Sequence, residues 1–135
     1  MKWTTFSLTF TLSLFGFGFN ASNAQSETEE RQPKEIITEI RSLLNQTTTE
    51  YQNKNSSGAS ELAEKAYLDN YEFIEAPLKE QNETLMVETE VMLREQLRDL
   101  VNNEGAEGDV QMLVEKINNN LDQADKLLGN QTEGD

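Results

Sequence analysis

The sequence predicts an all-α fold: an antiparallel up-down four-helix bundle behind an N-terminal signal peptide. Three observations lead there. Apolar residues recur at three- and four-residue spacing in four separate segments. Short polar stretches such as QNKNSSG and NNEGAEG divide those segments. No strand pattern competes with the helical one, and short connections favour antiparallel neighbours.

The opening residues read as an export signal. Lys2 supplies a small positive region, Trp3 to Phe19 an apolar run, and Ser22-Asn23-Ala24 a small-x-small cleavage site. Cleavage sets the exported chain to begin at Gln25. The other reading is an uncleaved anchor, which Thr4, Thr5, Ser7, Thr9, Thr11, Ser13, Gly16 and Gly18 weaken as a stable span. The expected organisation is a signal peptide over 1–24, a disordered acidic lead-in over 25–32, a helical domain over 33–129 and a polar tail over 130–135.

Pro33 suits the first turn of a helix, and Ile36, Ile37, Ile40, Leu43, Leu44 and Tyr51 follow with helical spacing. After the loop over 52–58, Ser57 or Gly58 is the expected cap of a second helix carrying Leu62, Ala63, Ala66, Tyr67, Phe73 and Ile74. It is expected to end near Pro77, or to kink there and continue for one turn. Asn82 is the expected cap of a third helix, with Leu85, Met86, Leu93, Leu97, Leu100 and Val101 inward. Asp109 is the expected cap of a fourth, in which Val110, Leu113, Val114, Ile117, Leu121, Ala124 and Leu128 alternate by three and four before Gly129.

Composition removes several functions. With no cysteine, an exported chain has neither disulfide staples nor thiolate ligands or nucleophiles. With no histidine, the Ser-His-Asp triad, zincin spacing and the usual neutral-pH general base are absent, so an enzyme is not expected. The net charge of −14 becomes one unit more negative once Lys2 leaves with the signal, and phosphate contacts need a basic surface, so no nucleic-acid partner is expected. Asn45, Asn55, Asn82 and Asn130 stand in Asn-x-Ser/Thr triplets and are candidate glycosylation sites.

AYLDNYEFIEAPL, residues 66–78, gathers aromatics and carboxylates on one helix. Projected at about 100° per residue, Leu62, Ala66, Asn70, Phe73 and Ile74 form the inner face. Tyr67 and Tyr71 lie towards its edge, Glu72 opposite it and Glu75 at the boundary. One reading leans the tyrosine rings on neighbours, with hydroxyls at the rim where a partner protein can meet them. The other takes Glu72 and Glu75 as a two-carboxylate site for a hard cation, completed by Glu83 or Glu88 across the turn; oxygen-only ligation suits ferric iron, manganese, calcium or magnesium. Glu90 projects onto the apolar side of the third helix, where it needs Arg94 or a tyrosine hydroxyl as partner.

AYLDNYEFIEAPL together with EVMLREQLRDL resembles the extracytoplasmic helical region attached to permeases of the high-affinity iron permease family, over about residues 59–128. In that family an Ala-Tyr-Leu, aromatic-Glu-x-aliphatic-Glu helix precedes a second acidic helix ending in Leu-Arg. The resemblance singles out Tyr67, Tyr71, Glu72, Glu75, Glu90 and Arg94, and implies ferric iron or another hard cation as ligand, with Glu72, Glu75 and Glu90 as its carboxylates. These 135 residues carry no multi-span membrane part, and their nearest approach to the permease's Arg-Glu-x-x-Glu motif is REQLR, which ends in arginine. Two functions are therefore expected. One is an exported helical module that binds a partner protein or envelope component. The other is a cation-binding accessory docked beside a membrane permease.

Overall fold

The computed structural model describes residues 31–130. The expected signal peptide, most of the lead-in and all of the tail but Asn130 lie outside them. Secondary structure among the described residues is entirely helical. Helix α1 spans Pro33–Gln52. Helix α2 (Ser56–Ala66) passes through a π turn (Tyr67–Tyr71) into α3 (Glu72–Val91), and a second π turn (Met92–Gln96) leads into α4 (Leu97–Asn102). Helix α5 (Glu107–Gly129) follows. These make three continuous stretches rather than four, but the middle one is broken at a single residue, Asn82, whose φ of −159° and ψ of 91° are extended.

That break reverses the chain. The Tyr71 hydroxyl reaches the Met86 carbonyl at 2.9 Å, and Arg98 on α4 approaches Glu64 on α2 at 3.6 Å, so the two halves of the middle stretch lie back to back. Pro77 does not end the helix. The helix runs through it to Asn82, whose side chain accepts the Leu85 N–H at 3.0 Å and starts the next rod. The helix continues for about one turn past Pro77, as the alternative had it, but the break lies at Asn82 and not at the proline.

Ends elsewhere differ slightly from expectation. Asn55, not Ser57 or Gly58, caps α2, accepting the Gly58 N–H at 3.1 Å. Helix α5 opens two residues before Asp109, with Ala106 at its cap position. Lys54 and Glu104 take positive φ in the two loops, which the Tyr51 hydroxyl ties together by donating to the Gly105 carbonyl, beside a Lys54–Glu107 ion pair. Arg31 and Gln32, the end of the expected lead-in, are engaged: Arg31 donates to the Asp69 carbonyl at 2.6 Å and to Asn70 Oδ1 at 2.8 Å, while Gln32 caps α1.

Helix α1 packs along α2 and α5, α3 along α5, and α4 along α2. The shared core is aliphatic: Ile37, Ile40, Leu44, Ile74, Leu78, Leu93, Leu97, Ile117 and Leu121 are almost wholly buried. At about 25 cal/mol per Å² of apolar surface removed from water, such burial is the main force holding a disulfide-free domain together.

Candidate functional site

The first π turn decides which side chains meet. A π turn closes i→i+5 bonds and admits one more residue than the α-helical turn it replaces, so everything after it rotates by about 100° relative to a continuous α-helix. Phe73, expected in the core, is consequently turned out and 63% exposed, beside Leu68 at 41%. Tyr71, expected at the rim, is wholly buried, and Tyr67 nearly so. Neither tyrosine is placed to meet a partner directly, which corrects the expected partner-binding role of both. Arg31 covers one side of the exposed Phe73 ring, its guanidinium carbon 5.3 Å from the centroid.

The same rotation draws Glu75 inward. Its Oε1 is buried and accepts no hydrogen bond among the described residues. Burial, and then the negative charge of Glu90, push its carboxyl above the ordinary range near 4.5; the Tyr67 hydroxyl and Arg94 work against that rise, Glu72 with it. Opposite, on the second half of α3, Glu90 accepts from Arg94 Nη1 at 2.7 Å, and Arg94 Nη2 donates to Glu95 at 2.8 Å. The Glu95 carboxylate, then the Tyr67 hydroxyl and Glu90, hold the Arg94 proton more firmly. Glu90 therefore has the expected Arg94 as its partner at a half-buried edge.

The tyrosines form the floor of this cluster, their ring centroids 6.4 Å apart. Burial raises the proton affinity of both hydroxyls, with Glu75 adding to each; on Tyr71 the Thr89 hydroxyl opposes the rise and ranks second to burial. Below them runs a polar chain that is buried at Thr89 and partly buried at Asn120: Asn120 on α5 donates to the Thr89 hydroxyl at 3.1 Å, which donates to the Leu85 carbonyl at 2.7 Å. Asn70, also buried, donates to the Lys65 carbonyl at 3.0 Å and receives Arg31. Asn70 and Arg31 were not singled out by the sequence; an asparagine on an inward helical position was the one available signal.

The structure thus brings together Tyr67, Tyr71, Glu75, Glu90 and Arg94, with Glu72 at the exposed margin. Glu83 pairs with Lys79 at 3.4 Å, and Glu88 is exposed. Among the described residues no group of three or more carboxylates is arranged to hold a metal ion, and no helix is long and apolar enough to cross a membrane. No family model, no curated protein and no solved structure matches this chain.

Proposed function

We propose that the chain is an exported, non-enzymatic helical module, a four-helix up-down bundle when its middle stretch is divided at Asn82, that binds a partner protein or envelope component through one face. The observation that carries this reading is the π turn that rotates Phe73 out of an apolar helix face. Such turns sacrifice hydrogen-bond geometry and recur at functional sites, and here the sacrifice exposes a large aromatic side chain. Solubilised envelope passed over the immobilised mature domain tests it. The expected result is a discrete partner retained by the native protein and lost with Phe73→Ser, with helicity unchanged; equal retention by the variant overturns the assignment of the face.

A second reading, the cation-binding accessory of an iron or other metal permease, is favoured by the unpartnered Oε1 of Glu75 facing Glu90. The donor set fits incompletely, because Arg94 occupies Glu90 Oε1 and Glu72 stands at the exposed margin, leaving Glu75 Oε1 as the buried carboxylate oxygen without a partner among the described residues. A site of two or three carboxylates with mostly water ligands implies dissociation constants of about 10⁻⁴ to 10⁻³ M. Calorimetry with ferric iron, manganese and calcium separates the readings. Selective binding lost in Glu72→Gln with Glu75→Gln supports the accessory, and no selectivity removes it.

A further inference from the structure

The four Asn-x-Ser/Thr triplets are equal in sequence and unequal in structure. In Asn82-Glu83-Thr84 the asparagine is exposed and extended at the bend between two rods, and Thr84 is exposed as well. The cap uses only Oδ1, which accepts from the Leu85 N–H, and Nδ2 makes no hydrogen bond among the described residues. A substituent on Nδ2 leaves that cap intact and points into water.

The other triplets lack this combination. Asn55 uses both ends of its amide: Oδ1 receives Gly58 N–H, and Nδ2 donates to Glu50 Oε2 at 2.6 Å. A glycan on that nitrogen would have to give up the bond to Glu50, although Asn55 itself is exposed. Asn45 lies inside α1, and the hydroxyl of its triplet, Thr47, is wholly buried and donates to the Leu43 carbonyl at 2.8 Å. On a helix, positions i and i+2 face apart, so that hydroxyl cannot approach the Asn45 amide. The triplet of Asn130 runs beyond the described residues.

Resting on the reading of this chain as exported, we propose that Asn82 is its glycan-bearing asparagine and that Asn45 and Asn55 stay bare. The donor is an oligosaccharide linked to a lipid diphosphate. Nδ2 forms the new bond to the sugar C1, the C1–O bond to the diphosphate breaks, the Nδ2 proton passes to a base of the transferase, and the lipid diphosphate departs. Helices and local loops form in microseconds while chain synthesis takes seconds, so a domain of local helical contacts offers these triplets in near-folded geometry.

The test is expression of the full chain in a host whose secretory pathway transfers such oligosaccharides, with peptide mapping of the secreted protein after enzymatic glycan release. Thr84→Ala and Ser57→Ala remove the Asn82 and Asn55 triplets while sparing both caps. The expected result is an Asn82 occupancy several-fold above that of Asn45 or Asn55, one glycan mass lost in Thr84→Ala, and none lost in Ser57→Ala. Secreted protein bare at Asn82, or equally occupied at Asn55, overturns the proposal and leaves export standing. Protein held in the cell with Met1 to Ala24 still attached overturns both.

Discussion

Replacing Glu75 by Gln is expected to stabilise the protein at neutral pH and to do so less in acid. Folding carries this carboxyl from water to a place where burial and Glu90 make it hold its proton more tightly. The native state then binds more protons than the unfolded chain between the ordinary carboxylate value and the raised one. By linkage, the favourable contribution is fully present below about 4.5 and is lost as pH rises through the folded-state value, leaving a penalty at pH 7. A buried polar group without a partner costs about 1–3 kcal/mol. Glu75 is partly open to solvent, which screens its charge, so a gain of about 1 kcal/mol is the reasonable scale. Across a domain of this size that is a rise of about 4–8 °C in Tm. The amide keeps the shape of the acid and carries no charge for Glu90 to repel. Thermal melts at pH 7 and pH 4 measure the difference, with Glu72→Gln, exposed and equal in charge change, as control. A lower Tm for the variant at pH 7, a gap that persists unchanged at pH 4, or the same gain from Glu72→Gln would refute the burial argument.

Tyr71→Phe removes the hydroxyl that joins the two halves of the middle stretch at Met86 and is expected to cost about 1 kcal/mol in urea unfolding, with the midpoint falling and the slope unchanged. Glu90→Ala is expected to lower Tm more than Glu88→Ala, by the equivalent of about 0.5–1 kcal/mol, since Glu90 is half-buried against Arg94 and Glu88 projects into water; equal effects would place Glu90 on the solvent side. Arg31→Ala loses the bonds to Asp69 and Asn70 and the cover over Phe73, and hydrogen exchange at the first π turn should quicken while α5 is unaffected. Asn55→Ala removes the α2 cap at an expected cost of about 1 kcal/mol by calorimetry.

What the sequence conveyed was the part of the fold governed by local chemistry. Helix α1 lies within a residue of its expected span, because Pro33 fixes its start and Ile36, Ile37, Ile40, Leu43 and Leu44 mark one unbroken stripe. The α5 stripe was equally legible, and all seven of its expected core residues are buried. The π turns were not, since an inserted residue leaves no characteristic spelling; YLDNY and MLREQ are ordinary helical sequence. Their signal is tertiary. Tyr71 gains a buried place and the Met86 carbonyl only in a helix that has slipped by one residue, and the same slip exposes Phe73. The candidate site inherits this blindness. A straight projection spread its carboxylates apart, yet the slip moves Glu75 inward to where Glu90 and Arg94 arrive from across the Asn82 bend. Residue choice made the acids available, but an insertion that only packing stabilises decided which of them lost their water.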